Sequence, residues 1–205
     1  MPFYSGDAIV LLSGGQDSTT CLFWAKTKFK HIIALSFDIS QNNIIELDCA
    51  KVICEKANVD HNIIDLKLLH DFKGEKNFIS GRNLFFLSFA ALIAKQRNIS
   101  NIVIGVSQQD SNTFSDCSDN FIKSINVSMN LSMDYTFKIY APLIWLSKKE
   151  IWHLAEELDI INLVKNNTVT CYNGISGVGC GHCSACQLRN SAYSEYLKDK
   201  SGEYT

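Results

Sequence analysis

The chain has 205 residues, 46% of them apolar and 20% charged, with a formal net charge of −2. That composition excludes a disordered chain, and the length suits one domain with a small appended module. With no Lys/Arg-rich run and a slightly acidic balance, it lacks the footprint of a general nucleic-acid binder.

Residues 1–7 carry no basic segment, and the apolar run at 8–12 is too short for a signal-peptide core. The longest apolar run, 84–94, is too short to span a bilayer. A cytoplasmic protein with no membrane contact is expected. In chain order, residues 8–12 predict a buried strand that runs into Ser13-Gly14-Gly15-Gln16-Asp17-Ser18 and then a helix over 19–26. Residues 31–37 predict a strand, 44–57 a helix and 61–66 a strand, and 67–81 are polar and loop-like. Residues 83–97 predict a strongly apolar helix, 101–105 a short buried strand and 118–133 a helix. Residues 137–140 predict a short strand and 148–158 a helix. Ile- and Val-rich strands alternating with helices give an α/β fold, an open parallel sheet with helices on both faces, Rossmann-like. After residue 165 Asn, Gly and Cys dominate until a final helix near 187–198. This divides the chain into a nucleotide-binding domain at 1–165 and a C-terminal module at 166–205 packed on it.

The strand-to-helix turn at 13–18 has the makings of an anion site. In an open α/β sheet ligands bind beyond the carboxyl ends of the strands. Gly14 and Gly15 let backbone N–H groups face an anion, and the following helix adds its positive end. Ser13, Ser18 and Thr19 add hydroxyls. The loop is not a Walker A motif, because the Gly-Lys-Ser/Thr ending is missing.

Of the eight cysteines, Cys171, Cys180, Cys183 and Cys186 crowd into one glycine-rich stretch. With no export signal, that clustering favours metal over disulfides. Structural zinc takes four thiolates in a tetrahedron, an iron–sulfur cluster uses the same ligand set, and reduced surface thiols are the third reading. His182 lies between ligands and reads as a surface residue. Cys21, Cys49 and Cys54 read as small core residues. Lys148, Lys149 and Glu150 open a helix and read as a solvated face.

The Ser-Gly-Gly-x-Asp-Ser loop resembles the pyrophosphate loop of the N-type ATP pyrophosphatases. Further stretches extend the resemblance: Ser80-Gly81-Arg82-Asn83, Gly105-Val106 with Asp110, Asp116-Cys117 with Phe121-Ile122, and Ala141-Pro142-Leu143-Ile144-Trp145. The last is the run from Asn166 to Ile175 leading into the cysteines. Together these resemble the QueC family of 7-cyano-7-deazaguanine (preQ0) synthases over nearly the whole chain. The resemblance implies a C–N-bond-forming ligase of queuosine biosynthesis. Such an enzyme converts 7-carboxy-7-deazaguanine and ammonia to the nitrile through adenylated intermediates, with ATP, Mg²⁺ and structural Zn²⁺, as a homodimer without direct nucleic-acid contact. It implies catalytic roles for Asp17, Ser13 and Arg82. ATP would be held by Leu11, Ser13, Gly14, Gly15, Gln16, Asp17, Ser18, Thr19, Arg82 and Asn83. The deazaguanine acid would be held by Gln41, Gly105, Asp110 and Asp116, and the metal by Cys171, Cys180, Cys183 and Cys186.

The chain departs from the family pattern in places. Ile39-Ser40-Gln41-Asn42-Asn43 stands where Tyr-Gly-Gln-Arg-His is usual. Phe114-Ser115-Asp116-Cys117-Ser118 stands where Tyr-Pro-Asp-Cys-Arg is usual, and Ser80 replaces a Pro. Cations are lost around a site that handles anions. The alternatives are therefore a diverged member that adenylates another carboxylate or stops at the amide, and a nucleotide-binding partner subunit without chemistry.

Overall fold

The computed structural model describes residues 4–39, 44–72, 74 and 79–202. Five strands, β1 (Ala8–Leu11), β2 (Ile32–Asp38), β3 (Asp60–Asp65), β4 (Asn101–Val103) and β5 (Lys138–Tyr140), form one sheet in the order β3-β2-β1-β4-β5. All four pairings are parallel. As the central strand, β1 is buried at every residue. Its side chains alternate between two cores, as a period of two requires. Ala8, Val10 and Leu12 pack with α1 (Gln16–Lys26) and α2 (Ile44–Ala57) on one face. Ile9 and Leu11 pack with α3 (Arg82–Gln96) and α5 (Asp119–Met133) on the other. The expected parallel sheet with helices on both faces is what the chain forms.

Element edges differ from expectation for local reasons. The first helix begins at Gln16, not Thr19, because Gly15 is extended (φ −82°, ψ 169°) and its carbonyl already accepts from Thr19. Gln16, Asp17 and Ser18 are therefore the first turn of α1, and the irregular loop is only 12–15. Two short helices escaped the sequence reading, α4 (Gln108–Ser111) and α7 (Ile161–Asn167). Neither is long enough to show a clear helical period. The stretch 67–81 contains a 3₁₀ turn, Lys67–Phe72, and a second 3₁₀ turn covers Ser115–Cys117.

Trp152 and Ala155 of α6 (Lys148–Glu157), Ile160, Val164 of α7, and Ala192 and Tyr196 of α8 (Ser184–Ser201) make a third core. Through it the C-terminal segment docks on the outside of the sheet domain, and α7 runs across residue 165 from one part to the other. Among the described residues no helix is long and apolar enough to cross a membrane.

Candidate active site and metal centre

The connections from β1 and β4 lead to opposite sides of the sheet, so the ends of these two strands make the switch point where α/β folds bind ligands. The loop after β1 is held there tightly. Gly14 has φ +81°, and a Cβ on it would stand 2.2 Å from the Glu46 carbonyl oxygen. Its own carbonyl accepts from Val169 N at 3.0 Å. Ser18 Oγ lies 3.0 Å from Ser13 Oγ, accepts from Ser13 N at 3.1 Å and donates to the Gly15 carbonyl at 3.2 Å. Across the crevice, a Cβ on Gly105 would come within 2.8 Å of Ser18 N. That glycine lets the end of β4 lie flush against the start of α1.

Next to the loop three charged side chains meet. Lys148 Nζ is 2.6 Å from Asp17 Oδ2 and 3.0 Å from Asp110 Oδ1, with the lysine side chain only 12% exposed. Asp110 is oriented in turn by Ser107, whose Oγ donates to Asp110 Oδ2 at 2.7 Å. Burial opposes the charge on Lys148, but the two carboxylates outweigh it and hold the ammonium pKa above its ordinary value. Burial raises the Asp17 carboxyl, with Lys148 pulling the other way. The sequence reading of Lys148 as a solvated face is corrected here. Lys148 is the first residue of α6, and the Ser147–Glu150 capping box that starts the helix aims it inward. Its Asp17 partner is 131 residues away in sequence, so no local pattern reveals the pair. Of the two neighbours, Lys149 pairs with Asp199 at 2.8 Å, and Glu150 accepts from Ser147 N and Oγ.

Other expected residues divide between the cluster and its support. Asp116 is buried and its carboxylate accepts from Asn83 N at 2.9 Å, while Asn83 Nδ2 donates to the Asp116 carbonyl at 3.1 Å. Together they fix the start of α3 against the Ser115–Cys117 turn. Arg82 opens that helix, half-buried, beside Cys117, whose thiol burial pushes up to about 12. Ser118, where the family carries Arg, caps α5: its Oγ accepts from Phe121 N at 3.2 Å. Gln16 is buried and its Nε2 has no acceptor among the described residues. Leu11 lies in β1 with its side chain in the second core. Gln41, Asn42 and Asn43 lie outside the described residues.

The four expected cysteines do converge. Their sulfurs all lie within 4.8 Å of one another, and those of Cys180 and Cys186 are 3.9 Å apart. A single tetrahedral ion with bonds of about 2.3 Å needs sulfurs about 3.8 Å apart. Gly179 (φ +70°) makes room, since a Cβ there would overlap Cys186 Sγ at 2.3 Å. The backbone N–H groups of Cys183 and His182 stabilise the Cys180 thiolate and bring its pKa down to about 6, whereas burial pushes Cys186 up to about 12. His182 is exposed, and Cys21, Cys49 and Cys54 are buried in the first core, all as expected.

Two residues that sequence reasoning passed over join this centre to the loop. Arg189 of α8 is buried and donates to Thr170 Oγ1 (3.0 Å) and to the carbonyls of Val164 (2.8 Å) and Lys165 (3.2 Å). Val169, one residue before Thr170, makes the bond to Gly14.

The family described as "Queuosine biosynthesis protein QueC" matches residues 7–76 and 73–197. A 7-cyano-7-deazaguanine synthase from Clostridium acetobutylicum is 51% identical, over 93% of this chain and 95% of its own. A second, from Clostridium botulinum, is 51% identical over 94% of this chain and 96% of its own. Among solved structures, NMN synthetase from Francisella tularensis superposes with a TM-score of 0.56 at 17% identity, covering 98% of this chain and 78% of that one. The NH₃-dependent NAD synthetase from Campylobacter jejuni gives 0.53 at 17% identity, covering 98% and 88%. These two share the fold. The chain belongs to the QueC family, and with it to the ligases that form carbon–nitrogen bonds.

Proposed function

We propose that the chain converts 7-carboxy-7-deazaguanine and ammonia to 7-cyano-7-deazaguanine, using ATP to adenylate first the carboxylate and then the amide. A carboxylate is a poor electrophile, and an amide oxygen is a poor leaving group. Each becomes displaceable once it carries AMP. One phosphate site serves both steps if the ring stays bound, and the protein's task is mainly orientation, which supplies up to about 7–11 kcal/mol.

The observation that carries this reading is the Asp17–Lys148–Asp110 cluster at the mouth of the 13–18 loop. The loop amides and the Ser13 and Ser18 hydroxyls would hold the β,γ-phosphates; Thr19, expected to join them, is fully buried and donates Oγ1 to the Gly15 carbonyl at 2.7 Å, so it shapes the loop instead. The buried Gln16 Nε2 is a further donor without an acceptor among the described residues. Lys148 neutralises two carboxylates when no nucleotide is present, and a triphosphate in the loop is a competing anion for the same ammonium. Asp17, whose Oδ2 is 2.6 Å from Nζ, is the residue that would hold Mg²⁺, a cation that favours one or two carboxylates plus substrate phosphates. When bound, the ion neutralises phosphate charge. Arg82, at the start of α3, suits either the phosphates or the substrate carboxylate by its forked donors. Gly105 and Asp110 would line the deazaguanine side, with Gln41. Asp116 would act there through Asn83, since that bond already engages its carboxylate.

The cysteine centre would hold Zn²⁺ as a structural ion. The sulfur spacing supports a mononuclear site, because the ligands of a multi-iron cluster spread around a larger body. Half identity to named synthases over almost the full length favours this substrate over another acid.

Incubation with ATP, ammonia and 7-carboxy-7-deazaguanine, followed by mass spectrometry, tests the proposal. The nitrile is the expected product. Accumulation of the amide without nitrile supports the truncated reaction, and no change in the acid overturns both.

A further inference from the structure

We propose that Arg189 is a positioning residue that ties the cysteine centre to the 13–18 loop, so that a filled metal site and a firm grip on the nucleotide reinforce each other. This rests on the phosphate-binding role of the loop proposed above.

The link is the strap 168–171, in which consecutive residues face different partners. Thr168 is fully buried and its Oγ1 donates to the Val164 carbonyl at 2.6 Å. Val169 N donates to the Gly14 carbonyl at 3.0 Å. Thr170 Oγ1 accepts from Arg189 Nη1 at 3.0 Å. Cys171 supplies a thiol to the metal set. The bond to Gly14 does more than join two segments. The Gly14 carbonyl and the Gly15 N–H belong to one planar trans peptide and point in opposite directions. Holding the carbonyl from behind therefore aims the N–H forward, to the side where Ser13 Oγ now receives it at 3.3 Å. The strap thus sets the direction of a loop amide that a phosphate would use.

Arg189 sets the strap. It follows Cys186 by one helical turn, on a helix whose N-cap is Cys183, so two thiols and the guanidinium ride on one rigid element. The second nitrogen of its fork grips the last turn of α7 through the Val164 and Lys165 carbonyls, and its guanidinium carbon lies 5.5 Å from the centre of the Trp152 ring on α6. All three acceptors are neutral. An apolar side chain would fill this place with less desolvation cost. The guanidinium instead provides directed bonds that hold α7, the strap and α8 in one register. A metal that draws Cys171 together with Cys180, Cys183 and Cys186 tightens the same register. By linkage, nucleotide on the loop must then raise the affinity for the metal by the factor with which metal improves nucleotide binding.

The test measures the equilibrium partition of the metal between the full chain and a chromogenic chelator, with and without saturating α,β-methylene ATP. In the wild type the analogue should raise the metal affinity about fivefold or more, the lower end of ordinary coupling between sites. Arg189→Met should retain its metal on purification and bind the analogue more weakly. At saturation it should lose the protection. Arg189→Lys, which keeps charge but not the fork, should recover only part of it. Thr170→Val removes the strap's acceptor alone and should reduce protection, and it decides the matter if Arg189→Met does not fold. Full protection in Arg189→Met, or in Thr170→Val in that case, overturns the proposal. So does an unchanged metal affinity in a wild type that binds the analogue. An analogue that does not bind the wild type at all overturns the phosphate role of the loop, and the coupling with it.

Discussion

The four thiols of the cysteine centre come from one segment between Cys171 and Cys186, whereas Asp17, Asp110 and Lys148 come from α1, α4 and α6. The first site is built by local turns: positive-φ glycines at 177, 179 and 181 bend the chain, and Cys183 starts the helix that carries Cys186. The second exists only once β1 and β4 are paired and α6 has docked beside them. A site of the first kind carries most of its geometry in its own sequence. A site of the second kind borrows it from the sheet. Damage to the two should therefore look different: loss of chemistry with a nearly intact fold in the charged cluster, and local unfolding around the thiols.

The largest effects are expected at the charged cluster, from Asp17→Ala and then from Lys148→Met. Removing one preorganised charge from a reacting site costs about 10²–10³ in kcat, read as AMP and pyrophosphate formation. Asp17→Ala should abolish both products and leave the circular dichroism spectrum unchanged. The single lysine variant also leaves two partly buried carboxylates face to face, so its thermal midpoint should fall. Adding Asp17→Asn should restore the midpoint without restoring activity. Recovery of activity in the double variant would show that the cluster is only structural.

Metal removal should act on the other region. Elemental analysis of fresh protein should give one zinc per chain. Structural zinc in small peptides contributes about 10–16 kcal/mol of apparent binding energy, and there it is folding energy. Here α8 also packs Ala192 and Tyr196 onto α6, and the sheet has two cores of its own. Chelation should therefore raise hydrogen exchange through 168–190 and leave the β1 and β4 amides protected. Exchange that rises equally in β1 would show the two regions unfolding as one.

The same contrast explains what could be read before the structure. The continuously apolar β1, its loop and the cysteine spacing were legible because each is a short contiguous pattern. Lys148 was misread because a lysine at the head of a helix looks the same in sequence whether it faces water or a carboxylate 131 residues away. Arg189 gave no signal, since a lone Arg in an amphipathic helix is ordinarily exposed. Asp116 was singled out only for its place in the polar segment after β4, and its bond to the Asn83 backbone depends on how α3 and the Ser115–Cys117 turn pack. α4 and α7 are short enough that tertiary contacts, not periodicity, decide them.

Ser118 offers a smaller and sharper test. Read as a lost cation, Ser118→Arg should help an enzyme that binds an anionic acid. Its Oγ, however, accepts from Phe121 N and donates to the Ser115 carbonyl at 2.8 Å. Replacing an N-cap serine costs about 0.5–2 kcal/mol. The expected outcome is a lower thermal midpoint with no gain in kcat/KM for 7-carboxy-7-deazaguanine. A gain would mean that the missing charge limits substrate binding.

The smallest effect concerns the far flank of the loop. Ser36 Oγ donates to the Leu12 carbonyl at 2.5 Å and lies 2.7 Å from His61 Nε2. With its hydrogen committed to Leu12, the serine oxygen accepts from His61 Nε2, which leaves Nδ1 to take up a proton in acid. Burial lowers the His61 pKa, and Lys51 adds to the shift. The unfolded chain, with its histidine near 6.5, then binds more protons than the folded one as pH falls through 6.5 toward the depressed folded value. Stability contributed by neutral His61 is complete above the unfolded pKa and is lost across that window. The midpoint of the wild type should therefore drop more between pH 7.5 and 5 than that of His61→Gln. Thiolate ligands also lose metal in acid, so metal content must be followed in the same titration. The difference between the two proteins at equal metal content isolates the histidine. An identical pH slope in both would show that His61 contributes nothing to the acid sensitivity of the fold.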